Sequence, residues 1–452
     1  MNQEIRMCEK KKFLSNKIVI GVIGLILLII FLRTVIELNI PIIVPLLLSF
    51  IIALWGDETQ VVAFALSCIP LSIAFQYKYA LLFCIIVYVI KSKFKVKVNA
   101  YTFIIGILMI WELLHAFIFA FSIIEYFRSF AELLMLIIIT TMPEGKLDGI
   151  YIKRMLMFAT VGVCSIIFLY QFVNSGYNLS FIIESFRFGS GNTNMTNFGL
   201  NVNPNRLGYM CNLSCTAFLI LYSKNAHKIT DVVFFVASVI FGLLTLSRTF
   251  IVCFFAVVLY STFVIKGRKT SLLKRLLLFG CILIIISGLL YFFMPNIFDS
   301  FTSRFSEEDL LNGRDYVYDK YSEHIWSSPF YCFFGIGMQD MATKMSILYG
   351  ETWQICHNGY QQAWVAWGIG GLFLFIVFLI RLALENVSYN SYERINYLPL
   401  LLFIIYIFVS QSITSGPVML STVYIYSCLC CESGSKEGEF NGKKDYRKFV
   451  NI

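Results

Sequence analysis

Charged residues are scarce in this chain. Aspartate, glutamate, lysine and arginine make up 14% of its 452 residues, whereas about 25% is usual for a globular protein. Hydrophobic residues account for 58%, and the mean hydropathy is +0.76. Length alone would allow two or three water-soluble domains, but this balance excludes them.

Several chemical signatures are also missing. No glycine-rich stretch is followed by a Walker-type lysine, which argues against a nucleotide-binding fold. No Cys/His or His/Glu spacing is typical of a zinc site. The net charge of +9 could indicate a nucleic-acid partner, but the basic residues cluster between apolar segments, so we predict none. No secretory cleavage pattern follows the first apolar segment, which is therefore predicted to be a membrane span.

Long, continuous apolar segments are what the sequence has instead. Segments of this kind predict helices that cross a bilayer, because a membrane-spanning chain must satisfy its own backbone polar groups. We predict an all-α integral membrane protein, a polytopic bundle of about 12–14 spans with one large extracytoplasmic loop. The predicted spans are residues 18–38, 40–55, 60–75, 79–90, 100–121, 124–141, 155–173, 204–222, 229–246, 249–265, 276–294, 361–384, 397–410 and 417–431.

The distribution of basic residues predicts the orientation of these spans. With the N-terminus in the cytoplasm, the cytoplasmic segments hold 26 of the 36 lysines and arginines, as the positive-inside rule requires. Only the short inner segment 56–59 carries no basic residue. We therefore expect a multi-pass protein of the bacterial cytoplasmic membrane with both termini in the cytoplasm.

This topology places three polar segments on the same outer face. They are residues 174–202, the Ser-Arg tip at 247–248, and the long polar interval 295–360. The five predicted parts are N-terminal transmembrane helices (1–202), central transmembrane helices with the Ser-Arg hairpin (203–294), the large loop (295–360), C-terminal transmembrane helices (361–431) and a cytoplasmic tail (432–452).

Three arginines belong to these outer segments. Arg248 lies at the mouth of a tight hairpin, where it either binds an anion or anchors the helix at lipid headgroups. Arg206 follows the Asn-Pro-Asn sequence at 203–205, and it too either binds an anion or anchors its helix. Arg314 opens a helical run whose apolar stripe (Tyr316, Val317, Tyr321 and Ile325) is typical of a helix lying on a membrane; a surface ion pair is its alternative role.

Histidine is rare, with four in the chain, and His357 ends the large loop immediately before Asn358 and Gly359. An unperturbed pKa near 6.5 suits proton transfer at neutral pH, so His357 is the candidate general base, although a lone histidine is usually structural. The Gly-Ile-Gly sequence at 335–337 predicts either a phosphate-cradling turn or a flexible bend. Cys332 and Cys356 are either a disulfide or two separate thiols.

In their order and spacing these motifs resemble the O-antigen ligase/polymerase superfamily of bacterial integral membrane glycosyltransferases. The resemblance covers residues 203–371 and includes a glycine-rich stretch at 367–371. It implies a GT-C-like helical fold and a polyprenyl-diphosphate-linked oligosaccharide as donor. It also implies that Arg248 and Arg314 hold the diphosphate and that His357 activates the acceptor hydroxyl; Arg206 is added as a third candidate for the diphosphate.

The residues themselves are consistent with that chemistry. No Asp-x-Asp pair occurs in the predicted outer loops, whereas arginine forks match phosphate oxygens. We therefore expect transfer without a metal or another cofactor. The partners that this function implies are undecaprenyl-diphosphate-linked oligosaccharide, membrane lipid, and a chain-length regulator and flippase of the same pathway.

Three functions remain open at this stage. A composition rich in isoleucine, lysine, asparagine and phenylalanine suggests an AT-rich genome, often Gram-positive, and favours a capsular or exopolysaccharide polymerase. An O-antigen ligase, which transfers glycan to lipid A core, is the second function. A polytopic transporter or flippase of lipid-linked sugar is the third; the halves of the sequence show no obvious repeat, which argues against it.

Overall fold

A computed structural model of the chain describes most of its apolar part. The described residues are 2–41, 43–73, 76–91, 98–119, 130–142, 147–178, 188–189, 202–265, 288, 291, 299, 314–338, 341–350, 358–385, 391–409 and 416–431. All regular structure within these ranges is helical.

The helices are numbered in chain order. They are α1 Asn2–Thr34, α2 Ile43–Trp55, α3 Glu58–Leu71, α4 Tyr77–Lys91, α5 Ala100–Phe119, α6 Ala131–Thr141, α7 Gly149–Asn174, α8 Pro204–Ser223, α9 Ile229–Leu244, α10 Arg248–Val264, α11 Arg314–Ser327, α12 Pro329–Phe333, α13 Met341–Tyr349, α14 Gly359–Glu385, α15 Ser391–Arg394, α16 Leu398–Val409 and α17 Gly416–Tyr426. A 3₁₀ turn, Ile395–Tyr397, joins α15 to α16, and a π-helical turn, Ser427–Cys431, ends α17.

Helices coincide with every predicted span except 276–294, most of which lies outside the described residues. Four helices are long and apolar enough to cross a membrane, namely Asn16–Thr34, Ala100–Phe119, Gly149–Asn174 and Gly359–Leu384. Seven shorter apolar helices of 10–17 residues accompany them in the described part of the chain. The predicted class, a helical integral membrane protein, is confirmed.

Polar contacts hold one end of the bundle together. Asn16 near the start of the apolar part of α1 accepts hydrogen bonds from Gln60 (2.6 Å) and from the hydroxyl of Tyr151 (3.1 Å). Lys91 at the end of α4 donates to the carbonyl oxygens of Ala53 (2.9 Å) and Gly56 (3.3 Å). The end of α2, which has no basic residue of its own, is thus capped by a lysine from α4.

The neighbouring contacts at this end are an ion pair and a helix cap. Arg154 in α7 pairs with Asp231 in the first turn of α9 at 3.1 Å, and Asp148 caps α7. The ends brought together here are those that the predicted alternation of spans places on one side. Which side faces the cytoplasm stays a prediction.

The centre of the bundle is formed by α3, α8 and α17. Nearly all residues of these helices are buried, as expected for helices surrounded by others. α3 packs along α7, and α8 lies among α7, α9 and α10. These central helices fix the positions of the helix ends that carry the candidate site.

Candidate active site

The first candidate motif forms the beginning of α8. Asn203 is the N-cap, and its side-chain oxygen accepts from the backbone N–H groups of Asn205 (2.9 Å) and Arg206 (3.4 Å). Pro204 occupies the first helical position, where its missing N–H costs nothing. Arg206 therefore lies in the first turn of a helix, at the end whose dipole attracts anions.

The Ser-Arg hairpin tip lies directly against this turn. Ser247 is the N-cap of α10 and accepts from the N–H of Phe250 at 3.3 Å. Its hydroxyl also donates to the side-chain oxygen of Asn205 at 2.7 Å. Because Ser247 precedes Arg248, the first helical residue of α10, the structure brings the first turns of α8 and α10, with Arg206 and Arg248, to one place.

Arg206 is held by the end of a third helix. Its Nη2 atom donates to the hydroxyl of Ser72, the residue after α3, at 2.6 Å. Its Nε atom is buried and has no hydrogen-bond partner. Burying a guanidinium N–H without an acceptor costs free energy, so this arginine carries one unsatisfied donor.

A buried carboxylate lies at the same end of the bundle. Glu132, in the first turn of α6, is 1% exposed and accepts from the Tyr77 hydroxyl at 2.6 Å. Lys78 lies 3.4 Å from the same carboxylate oxygen. Gly416 at the start of α17 touches this pair so closely that a Cβ atom there would collide with Tyr77 and Glu132.

The large loop contributes three helices, α11, α12 and α13. Arg314 is the first residue of α11, and its side chain lies outside what the structure describes. Three of the four residues in the stripe predicted to lie on a membrane face inward instead, since Val317, Tyr321 and Ile325 are 9%, 0% and 3% exposed, whereas Tyr316 is 64% exposed. The three buried side chains pack against the protein because α11 lies along α12 and α14.

The proposed base, His357, lies outside the described residues, but the residue after it is well placed. The Asn358 side chain accepts from the N–H groups of Tyr360 (3.1 Å) and Gln361 (3.2 Å), so it caps α14. Gln361 in turn donates to the carbonyl oxygen of Tyr318 (2.7 Å) and the hydroxyl of Ser322 (2.9 Å). The first turn of α14 is thereby joined to α11, the helix that Arg314 opens.

The Gly-Ile-Gly turn differs from both of its sequence interpretations. Gly335 and Gly337 have φ angles of 77° and 85°. The N–H groups of Ile336 and Gly337 donate to the carbonyl oxygens of Val365 (2.9 Å) and Ala366 (2.7 Å). The turn is therefore neither a flexible bend nor open to phosphate through these two N–H groups, because it is bonded to α14.

Aromatic contacts through α16 connect the two groups of motifs. Tyr406 stacks on Tyr209 of α8, with ring centroids 3.8 Å apart. Phe408, two residues on, meets Tyr360 in the first turn of α14 at 6.4 Å. The arginine-bearing helix ends and the beginning of α14 thus flank the last turn of α16.

A histidine inside the loop has a clear structural role. His324 on α11 is buried, and its Nδ1 atom lies 2.7 Å from the hydroxyl of Tyr349 on α13. Burial lowers the pKa of His324 to about 4, so the ring is neutral at physiological pH. Cys332, on α12, carries a free thiol; Cys356, its partner in the disulfide that the sequence left open, lies outside the described residues.

Sequence reasoning missed several buried polar residues. Tyr77 and Glu132 flank the arginine site, and Glu112 and His115 on α5 contact the loop. The available signal was an ionisable residue inside an apolar span, which is costly unless it serves a purpose. Among the residues that the structure describes, no group of three or more His, Cys, Asp or Glu could hold a metal ion.

These features define a helical integral membrane protein whose polar site lies at one end of its bundle. The family model described as O-antigen ligase matches residues 233–376. The resemblance drawn from the motifs, to the O-antigen ligase/polymerase superfamily, is thereby confirmed over that segment, which is similar to the O-antigen ligase family. No curated protein matches the chain significantly.

Proposed function

We propose that this protein is a polysaccharide polymerase of the cytoplasmic membrane. It joins polyprenyl-diphosphate-linked oligosaccharide repeat units on the outer face, in capsule or exopolysaccharide synthesis. The observation that carries the proposal is the hydrogen bond between Ser247 and Asn205, which joins the first turns of α8 and α10. Arg206 belongs to the first of these turns and Arg248 to the second. Two helix N-termini and two arginines together form an environment suited to a diphosphate.

The reaction follows from the charges involved. An acceptor hydroxyl attacks the anomeric carbon, the bond from that carbon to the diphosphate breaks, and its electron pair leaves on the diphosphate. Arg206, Arg248 and Arg314 stabilise this developing charge, as fixed positive groups do in other transfers. His357 takes the hydroxyl proton; it directly precedes Asn358, the cap of α14, and the first turn of α14 is bonded to the loop helix α11.

The arginines and the histidine are tested in cells whose native gene is replaced by Arg206→Ala, Arg248→Ala, Arg314→Ala or His357→Ala at matched membrane levels. We expect long chains to disappear while single lipid-linked units persist on the outer face. Each arginine variant should lower polymer synthesis by about 100-fold or more, since lost charge stabilisation of this kind costs ~3 kcal/mol. Arg248→Lys should restore only part of it, because lysine keeps the charge but loses the fork.

The control is Arg33→Ala in the last turn of α1, an arginine outside the α8–α10 junction; it should leave chain length unchanged. Normal polymer with His357→Ala would remove the histidine from the mechanism. Full-length polymer that remains on the carrier lipid and is no longer passed to lipid A core would indicate a ligase. Units retained on the inner face would indicate a transporter.

A further inference from the structure

Part of the large loop is bonded to two spans well inside their ends. The residues concerned are 329–338, consisting of α12 and the turn after it. This segment contacts α5 and α14, both of which are long and apolar enough to cross a membrane. The contacts lie well inside these helices, which is unexpected for a loop in water.

The depth of the contacts follows from helix geometry. Glu112 lies seven residues before Phe119, the last residue of α5, which corresponds to about 10 Å along the helix axis. Gly368 lies nine residues into α14, or about 13 Å from its first residue. The hydrocarbon core of a bilayer is about 30 Å thick. The segment therefore reaches roughly a third of the way into the spans.

The backbone of the segment is irregular, yet its polar groups have partners. The Phe334 carbonyl oxygen accepts from the Trp111 indole at 3.3 Å and lies 2.7 Å from the Nε2 atom of His115. The Ile336 carbonyl oxygen accepts from Lys344 at 2.7 Å. The Cys332 carbonyl oxygen accepts from the Trp364 indole at 3.1 Å.

The N–H groups of the turn are paired as well. Those of Ile336 and Gly337 donate to carbonyl oxygens of α14, and that of Met338 donates to the carboxylate of Glu112 at 3.1 and 3.3 Å. The same carboxylate accepts from the indole of Trp367. Non-helical backbone is tolerated at membrane depth only where protein groups satisfy it in this way.

Glycines allow the close approach. α14 is interrupted at Gly368, whose φ of 61° and ψ of −177° expose carbonyl oxygens of the preceding turn. A Cβ atom at Gly368 would collide with the backbone of Phe333, and one at Gly335 would lie 2.5 Å from the Ala366 carbonyl oxygen. The turn after α12 and the interrupted part of α14 thus meet backbone to backbone.

The outer side of the segment is apolar and continues the surface of the spans. Phe333 is 60% exposed, and Ile369 and Phe373 on the adjoining part of α14 are 42% and 63% exposed. The backbone of Phe333 lies against Gly368 and Gly370, so the exposed apolar side chains belong to adjoining parts of the surface. Lipid acyl chains fit such a surface.

We propose that residues 329–338 are a re-entrant segment embedded in the outer leaflet, and that Glu112 is the positioning residue that holds it there. The buried polar side chains of α5, together with Lys344, replace the water that a loop would otherwise bind. Since α11 directly precedes this segment, the segment fixes the position of α11 and thereby of Arg314, its first residue, which the proposed function assigns to the diphosphate. That last consequence rests on the proposed function; the membrane position does not.

The test is the reactivity of single introduced cysteines in native membranes, with the parent chain as background for its own thiols. Phe333→Cys, Tyr316→Cys and Phe117→Cys are treated with a membrane-impermeant maleimide. All three native side chains are more than half exposed, at 60%, 64% and 81%. We expect Tyr316→Cys on α11 to react as a water-exposed thiol, and Phe333→Cys to react at least tenfold more slowly, as does Phe117→Cys in α5.

Equal labelling of all three after denaturation in dodecyl sulfate shows that each thiol is free. Reaction of Phe333→Cys as fast as that of Tyr316→Cys would place the segment in water and overturn the proposal. This test does not depend on polysaccharide synthesis, so it stands if the proposed function fails.

The role of Glu112 is tested in the Phe333→Cys chain. Glu112→Ala leaves the buried N–H groups of Met338 and Trp367 without an acceptor, so labelling of Phe333→Cys should rise about tenfold or more. Glu112→Gln keeps one acceptor oxygen and should give a smaller rise. If Glu112→Ala leaves the labelling of Tyr316→Cys and the membrane levels unchanged, the release is local to the segment. If Phe333→Cys stays as protected with Glu112→Ala as without it, Glu112 is excluded as the positioning residue.

Discussion

At the scale of single residues, the chain uses its few ionisable groups in two ways. Lys91 and Arg154 hold helix ends together. Arg206 differs, since one side of its guanidinium bonds to Ser72 while Nε stays buried without a partner. Arg206 is thus short of an acceptor within the protein, and this observation motivates the proposal that it binds the diphosphate.

His324 makes the stability of the loop depend on pH. Its pKa is about 4 in the folded protein and near 6.5 when unfolded. Between these values the unfolded state binds a proton that the folded state does not, so the stabilising contribution of His324 is fully present above pH 7 and is lost as the pH drops from 6.5 to 4. We expect a loss of about 1–3 kcal/mol, seen as a lower midpoint of thermal unfolding in detergent.

The matched variant is His324→Gln, which cannot titrate and should show a flatter dependence over the same pH range. His227→Gln, in the turn between α8 and α9, serves as the control and should retain the dependence of the parent. An unfolding midpoint of His324→Gln that falls with pH as steeply as the parent's would assign the effect to other groups.

At the scale of elements, the break in α14 joins the loop to the spans. Gly368→Ala should destabilise the protein by about 3 kcal/mol or more, because its backbone conformation is essentially limited to glycine and the added Cβ atom meets the Phe333 backbone. Gly106→Ala is the control, since nothing lies within 4 Å of a Cβ atom there. It should be neutral or stabilising by up to about 1 kcal/mol. Thermal unfolding of both purified variants is the measurement, and equal midpoints would mean that the break carries no strain.

The sequence predicts some of these elements better than others. Apolar runs located the spans because the bilayer imposes a length on each of them. The Asn358 and Ser247 caps lay in motifs already singled out. The docking of the 335–337 turn on α14 could not be foreseen, because a glycine pair specifies freedom of φ and not the partner that the turn bonds.

At the scale of the whole molecule, the same limit applies to contacts between distant segments. Hydropathy places Glu112 and Trp367 in different spans, 255 positions apart, and says nothing about their hydrogen bond. The bundle brings together Ser72, Glu132, Arg206 and Gly416, which come from four separate parts of the chain. Only the shared end of their helices was predictable, from the alternation of spans.

That alternation leads to a prediction about the molecule's orientation. Tyr177, in the turn after α7, and Asn225, in the turn after α8, end helices that run in opposite directions. With the N-terminus in the cytoplasm, the first turn lies outside and the second inside. Alkaline phosphatase, which is active only outside the cytoplasm, should therefore be active when fused after Tyr177 and inactive after Asn225, by at least about tenfold at equal expression, as the charge asymmetry demands. A cytoplasmic reporter such as β-galactosidase at the same positions should give the reverse pattern. If both reporters reversed, Arg206 and Arg248 would face the cytoplasm, and the chain would act on its lipid-linked glycan before export.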